Sequence, residues 1–216
     1  RNYAAMVSAV DDGVGKILKA LSDSKIDEET LIFFLSDNGG ASNNSSNNGI
    51  LREHKGTLFE GGLRVPFALR WAGKIEPGMV YKHPIISLDI MATVAELADA
   101  PISMDRPLDG VNLLPYLLNQ KNGSPHDYLF WRKFDRNGVA VRSGDIKLVA
   151  DRKFNEQGYS VYNTTDDISE KNDIIDLDVD KNEEMLKRHK IWTSQLKPTA
   201  FPTLGNHKWW LKSQTE

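Results

Sequence analysis

The first forty residues carry the two hydrophobic patterns that build a layered α/β fold. Apolar residues recur at intervals of three and four over residues 3–22, which predicts an amphipathic helix. The run "TLIFFL" (30–35) does not alternate, and it predicts a strand that is buried on both faces. A helix followed by such a strand is the repeating unit of an α/β sheet, so we expect that fold class.

The predicted strand ends on Asp37 and Asn38, which Gly39 and Gly40 follow. Two interpretations are open. Asp, Asn and Gly are the usual residues of turns, because they tolerate left-handed backbone and make local hydrogen bonds. A carboxylate and an amide oxygen are also the hard ligands that Ca²⁺ takes, and open α/β sheets keep their ligands at the carboxyl ends of strands. The glycines would let the backbone turn so that both side chains reach one ion.

The next segments predict a long loop, a strand and a helix. Residues 36–62 lack periodicity and include the Asn-rich run "NNSSNN" (43–48), and a loop of this length is usually functional or disordered. Residues 66–71 predict a short strand. Ser87 is expected to cap a helix over 88–98. The residues of that helix predicted to face inward are Ile90, Met91, Val94 and Leu97.

The composition changes at residues 119–127, which are polar and rich in turn formers, so we expect a domain boundary and divide the chain into 1–122 and 123–216. Beyond it, short apolar runs predict antiparallel strands, with a hairpin turn at Gly144 and Asp145. These runs are 128–134, 138–143, 146–150 and 159–163. Residues 176–196 predict a capped helix with Met185, His189, Trp192 and Leu196 on one face.

Composition excludes several classes of protein. The 216 residues include 27 Lys and Arg against 30 Asp and Glu, a net charge of −3, which argues against a nucleic-acid binder. No run approaches the roughly 18 apolar residues of a membrane span. Cysteine is absent, which removes disulfides and thiolate metal sites from these residues. The chain opens at Arg1 without a Met, so we expect a fragment or a processed product.

Two stretches together resemble a known family. They are "TLIFFLSDNGG" (30–40) and "REHKGTLFEGGLRVPFALRWAG" (52–73). Their motifs and spacing resemble the calcium- and formylglycine-dependent sulfatases of type I, which include arylsulfatases and N-acetylgalactosamine-6-sulfatases and belong to the alkaline phosphatase superfamily. The resemblance covers nearly the whole chain but corresponds only to the family's C-terminal half. It implies the C-terminal part of an alkaline-phosphatase-like α/β sheet, followed by a small subdomain of antiparallel sheet plus helix.

The resemblance also implies roles for particular residues. Asp37 and Asn38 match the family's calcium ligands. Lys55 matches the catalytic lysine that holds the sulfate ester, and the alternative is a solvated loop lysine. An ammonium is a point charge suited to a tetrahedral oxyanion. His54 is either a residue of the substrate pocket or a partly exposed loop histidine. Arg52 is either a contact to an anionic sugar or a solvated loop arginine.

Other parts of the family's site are not in this sequence. No Cys-x-Pro-x-Arg or Ser-x-Pro-x-Arg motif occurs, so the formylglycine nucleophile is expected on a missing N-terminal half, and its Cys or Ser origin stays open. We expect this chain alone to be inactive. A sheet without its first strands leaves an open edge and an uncovered apolar face, so association with the missing half, self-association or aggregation is expected. Glu60 and Arg64 are expected to pair structurally.

The resemblance leaves two alternatives and only a general substrate. A phosphatase or phosphodiesterase of the same superfamily would favour Zn²⁺ over Ca²⁺. A non-catalytic carbohydrate-binding remnant would bind sulfated sugars without Lys55. For the sulfatase, a sulfated glycan is preferred to a simple aryl sulfate, and a periplasmic, secreted or lysosomal location is what the resemblance implies.

Overall fold

The computed structural model describes residues 2–103, 105, 107–133, 138–150 and 158–197. In chain order the elements are α1 (Asn2–Asp23), β1 (Ile32–Leu35), α2 (Glu60–Leu63), β2 (Phe67–Arg70), α3 (Asp89–Leu97), α4 (Leu114–Leu117), β3 (Leu129–Lys133), β4 (Gly138–Ser143), β5 (Ile146–Ala150), β6 (Ser160–Asn163) and α5 (Val179–Gln195).

The chain forms two compact units. The first contains residues 1–48, 54–56 and 64–126, and the second contains residues 49–53, 57–63 and 127–216. The junction after residue 126 lies near the predicted boundary at 122 and 123. The sequence did not indicate that two segments of the loop before β2 would join the second unit.

In the first unit, β1 pairs with β2 in an antiparallel ladder that runs from Ile32 opposite Arg70 to Leu35 opposite Phe67. The predicted strands are therefore present, but burial of the first on both faces is wrong, since Phe34 is 48% exposed and its neighbours are half-buried. Among the described residues β1 has only β2 as a partner strand.

Helix α3 buries a different face from the one predicted. Met91, Val94 and Leu97 are exposed, whereas Ala92, Thr93 and Ala95 are buried. The predicted cap is also wrong, because Leu88 occupies the N-cap position and no side chain caps the helix. Periodicity therefore identified the helix but not its covered side.

Asp89 explains why this face of α3 is buried. Its carboxylate is fully buried and accepts hydrogen bonds from the backbone N–H groups of Ile86 (2.9 Å) and Val111 (2.8 Å), and it lies 2.9 Å from His126 Nε2. Thr93 accepts a further bond from the N–H of Leu113 (3.0 Å). A buried carboxylate needs such donors to offset its desolvation, and together these bonds tie the following loop to α3.

The second unit confirms the predicted antiparallel sheet plus helix. Its strands are hydrogen-bonded in the order β3-β4-β5-β6, and α5 packs on β3 and β4. Gly144 has φ +58° in the tight turn between β4 and β5, as the hairpin prediction requires. The Asp178 side chain caps α5 by accepting from the N–H of Lys181 (3.0 Å). The buried core of this unit contains Val141, Leu148, Val161 and Met185.

His189 is the buried titratable group on the inner face of α5. Its Nε2 lies 3.2 Å from the carbonyl oxygen of Trp131, and its ring contacts those of Phe130 and Trp192. Burial lowers the pKa of this imidazole, the nearby Arg132 charge lowers it further, and the Trp131 carbonyl opposes both. The folded chain therefore favours neutral His189.

We predict that His189 makes the chain less stable in mild acid. The unfolded imidazole, with a pKa of about 6.5, binds a proton before the folded one does, so this contribution is complete above about pH 6.5 and is lost as pH falls below it. Urea unfolding of wild type and His189→Gln on both sides of this pH should show a difference in unfolding free energy that shrinks in acid. A difference that is constant with pH would contradict the assignment.

Candidate functional site

The segment that follows β1 forms a tight turn with two oxygen-bearing side chains. The N–H of Ser36 donates to the carbonyl oxygen of Pro66 (3.1 Å), and its Oγ donates to the carbonyl oxygen of Asn38 (2.8 Å). Asp37 is exposed and Asn38 is half-buried. Within the described residues, neither side chain makes a hydrogen bond or an ion pair. The segment bends at Asp37 and Asn38, and the cation-binding interpretation stays a prediction.

Gly40 connects this turn to the Lys55 segment. The carbonyl oxygen of Gly40 accepts from the backbone N–H of Lys55 (3.0 Å) and from Nδ2 of Asn48 (3.2 Å). The N–H of Gly40 donates to Oδ1 of the same Asn48 side chain (2.8 Å). These bonds bring the two sequence motifs, which are separated by a long loop, to one position in the first unit.

The Asn-rich run is an ordered part of this arrangement. Ser46 Oγ donates to the carbonyl oxygen of Ala41 (2.6 Å), and the N–H of Ser46 donates to Oδ1 of Asn44 (3.1 Å). Ser45 adopts a left-handed φ of +65°. The Asn48 side-chain amide bonds both the N–H and the carbonyl oxygen of Gly40. The sequence did not single out Asn48, because it is one of six consecutive Asn and Ser residues that look alike in sequence.

We predict that Gly40→Ala disrupts the site. An added Cβ would lie 2.6 Å from Ser46 Oγ and 2.9 Å from Asn48 Oδ1, so the clamp on Gly40 must shift. Overpacking of this kind costs about 1–3 kcal/mol. Denaturant unfolding of Gly40→Ala should show that loss.

The matched control is Gly13→Ala in α1, where an added Cβ meets no atom within 4 Å. That change should be neutral or stabilising by about 0.5–1 kcal/mol, since Gly is a poor helix former. Equal effects of the two substitutions would show that Gly40 has no special packing requirement.

Lys55 and His54 lie in the long loop between β1 and α2. The Lys55 side chain is exposed and has no partner among the described residues. His54 is half-buried, and its Nδ1 lies 2.9 Å from the carbonyl oxygen of Lys55. Glu53 precedes them with a left-handed φ of +64°. Non-glycine residues rarely adopt this conformation, and it concentrates at functional sites.

Arg52 lies in the second unit and has structural partners there. Its Nη1 donates to the carbonyl oxygen of Glu170 (2.7 Å) and to the hydroxyl of Tyr162 (3.0 Å), and its guanidinium carbon lies 4.1 Å from the centre of the Phe59 ring. Arg52 also lines an open depression with Ile50, Ser169, Glu170 and Lys171. The loop-solvated alternative does not describe it, and a role in binding substrate stays a prediction.

Glu60 is part of a buried ion cluster, which we define as Glu60, Lys147 and Glu170. The Lys147 ammonium lies 2.8 Å from Oε1 of Glu60 and 2.9 Å from Oε1 of Glu170, and Arg142 approaches Glu60 at 3.6 Å. Burial raises the pKa of Glu170, and the Lys147 charge opposes that rise. The sequence predicted that Glu60 pairs with Arg64, which stays a prediction, and it gave no sign of Lys147, which lies 87 positions away.

The donor set at the turn fits a hard cation in part. Asp37 and Asn38 supply a carboxylate and an amide oxygen, and Ca²⁺ takes six to eight oxygens. No cluster of three or more His, Asp or Glu side chains able to hold a metal occurs in the described part of the chain. Any ion bound here would therefore need further ligands. No helix of the described residues is long and apolar enough to cross a membrane.

Comparisons with known proteins show which family the chain resembles. Residues 1–100 match the Sulfatase family model. The chain is 38% identical to mouse (Mus musculus) steryl-sulfatase over 136 residues, which are 59% of this chain and 22% of that protein. It is 36% identical to human (Homo sapiens) arylsulfatase A over 164 residues, which are 73% of this chain and 31% of that protein.

Solved structures agree with the sequence matches. A crystal structure of Ps i-CgsB in complex with k-i-k-neocarrahexaose superposes with a TM-score of 0.86 at 32% identity, covering 98% of this chain and 47% of that one. The resemblance to sulfatases, hydrolases that act on sulfuric esters, is thereby confirmed, as is the alkaline-phosphatase-like fold class. The chain spans about half of the solved structure and less than a third of these two curated relatives.

Proposed function

We propose that this chain is the C-terminal part of a sulfatase that removes sulfate from a sulfated carbohydrate, and that it is inactive by itself. The observation that supports this most is the hydrogen bond from the Lys55 N–H to the Gly40 carbonyl oxygen. This bond joins the backbone of Lys55, whose side chain is exposed, to the segment that follows Asp37 and Asn38, and it supports a common site for the three residues. A cation requires oxygen ligands such as those of Asp37 and Asn38, and a sulfate ester requires a positive charge such as that of Lys55.

In this proposal Asp37 and Asn38 are two ligands of a Ca²⁺ ion, and Lys55 binds a sulfate oxygen. When bound, the ion would neutralise negative charge on the transferring sulfuryl group. The exposed Lys55 ammonium supplies a donor and a positive charge to the same group, and such electrostatic stabilisation is usually the largest contribution to catalysis. The formylglycine nucleophile and the remaining ligands are assigned to the part of the sulfatase that precedes these residues.

A sulfated carbohydrate is preferred as substrate because Ps i-CgsB, at 32% identity, is named as a complex with k-i-k-neocarrahexaose. His54 and Arg52 are proposed as further substrate contacts. His54 neighbours Lys55 directly, and Arg52 lines the open depression in the second unit. A periplasmic, secreted or lysosomal location is part of the same proposal.

The proposed partner is the remainder of the sulfatase, with a second copy of this chain as the alternative. Helix α1 has no buried residue, and its predicted apolar stripe is exposed at Met6, Val10 and Ile17. Exposed apolar surface of this extent marks an interaction face.

We predict that Lys55→Ala in the full-length protein lowers kcat/KM for a sulfate ester by about 10²-fold, because loss of one preorganised donor to a developing charge costs about that much. Lys55→Arg should recover part of the activity by keeping the positive charge. Lys74→Ala, an exposed lysine in a turn of the same unit, is the control and should leave the rate unchanged. Full activity in Lys55→Ala would contradict the proposed role of Lys55. Sulfated-sugar binding that survives Lys55→Ala, in a full-length protein without sulfatase activity, would favour the non-catalytic carbohydrate-binding alternative.

We predict that Asp37→Ala and Asn38→Ala each weaken Ca²⁺ binding by the full-length protein, by about tenfold or more, since loss of even an outer-shell partner costs 10–100-fold. Calorimetric titration with Ca²⁺ and with Zn²⁺ measures this. Asp12→Ala, on the exposed surface of α1, is the matched control. Preference for Zn²⁺ would favour the phosphatase or phosphodiesterase alternative, and an unchanged Ca²⁺ affinity in both variants would contradict the assignment of the two ligands.

A further inference from the structure

The buried ion cluster of Glu60, Lys147 and Glu170 is costly for a single chain to maintain. The side chains of Lys147 and Glu170 are 1% and 0% exposed, and that of Glu60 is 4% exposed. Oε1 of Glu170 contacts Lys147 at 2.9 Å without the geometry of a hydrogen bond. Buried ion pairs are often no more stabilising than apolar residues of the same volume. Stability alone therefore does not account for this cluster.

The cluster contacts both ends of the segment that carries Lys55. At one end, the N–H of Glu60 donates to Oε2 of Glu170 (2.7 Å), while the Glu60 carboxylate binds Lys147. At the other end, Arg52 donates to the backbone carbonyl oxygen of Glu170 (2.7 Å). Glu170 thus holds residues 52 and 60 at once, and Lys55 lies between them in the chain.

Backbone contacts close the same segment into a loop. The N–H of Gly61 donates to the carbonyl oxygen of Arg52 (2.7 Å). A Cβ at Gly61 would collide with the carbonyl oxygens of Arg52 and Glu53, so the two ends of the loop approach as closely as backbone allows. The loop is short, and its ends are fixed, so little freedom remains for its tip.

Two residues in this arrangement have strained backbone. Glu53 has φ +64° and Glu170 has φ +51°, both in the left-handed region. Such conformations cost of order 1–3 kcal/mol each and persist only where the surroundings enforce them. One strained residue immediately precedes His54 and Lys55, and the other is the cluster residue that contacts both ends of the loop. The two residues with left-handed backbone therefore lie in the Lys55 loop and in the ion cluster that contacts its ends.

We propose that Lys147 and Glu170 are positioning residues, which act through the ends of the loop to fix the Lys55 ammonium where it binds the sulfate ester. This inference rests on the proposed function of Lys55. Lys147 and Glu170 do not touch substrate. They hold residues 52 and 60 close to each other, so that the short segment between them presents the Lys55 side chain in one direction.

The test is a double-mutant cycle on the full-length protein. Lys147→Met removes the buried charge at similar length, and Lys55→Ala removes the group that it is proposed to position. Lys147→Met alone should lower kcat/KM per folded molecule by about tenfold to 10²-fold, the effect of a displacement of about 1 Å. In the Lys55→Ala background the same change should have little further effect, because the group to be positioned is already absent.

Two further variants keep the test decisive. Glu170→Gln, a near-isosteric neutral change, replaces Lys147→Met if that variant fails to fold. Val161→Ala lies in the core of the same sheet and reports the effect of destabilisation alone. It should leave kcat/KM per folded molecule unchanged in both backgrounds.

The outcomes separate the two claims. If Lys55→Ala has normal activity, the proposed function fails. If Lys55→Ala is strongly impaired but Lys147→Met and Glu170→Gln are fully active when folded, the positioning role is overturned. The same holds if they cause an equal loss with and without Lys55, since a merely structural role would not depend on that side chain.

Discussion

The candidate site depends on the hydrogen bonds made by one residue, Gly40. Its carbonyl oxygen accepts from the Lys55 backbone, and the Asn48 amide binds both its N–H and its carbonyl group. These bonds connect the turn that contains Asp37 to the distant loop segment that contains Lys55. A side chain at this position would occupy the space of Ser46 and Asn48, so glycine is what allows the three segments to meet.

The second unit was largely predictable because its signals are local. Each strand is a short apolar run bounded by turn residues, and the Gly144 hairpin and the Asp178 cap follow from neighbouring residues. The buried face of α3 was not predictable, because its exposed apolar residues and its buried small residues both recur with the period of a helix. The covered side carries Asp89, whose partners include the distant residues Val111 and His126.

The sequence drew attention to residues whose motifs carry chemistry and not to residues that matter through long-range contacts. Asp37, Asn38 and Lys55 stood out as residue types that bind cations and oxyanions. Lys147 did not, because a lysine within an apolar strand is normally expected at the surface. Its burial depends on Glu60 and Glu170, which lie on other segments. Sequence patterns report the period of a strand, whereas the partner of a buried charge is set by the tertiary fold.

The central claim is that one site holds a cation and a sulfate ester between the turn after β1 and the tip of the Lys55 loop. A crystal structure of the full-length protein with Ca²⁺ and a sulfated oligosaccharide tests it most directly. The account predicts an ion about 2.3–2.6 Å from an oxygen of Asp37 and one of Asn38. It also predicts a sulfate oxygen about 2.7–2.9 Å from Lys55 Nζ. An ion bound by other residues, or a sulfate group held with Lys55 in solvent, would contradict the claim.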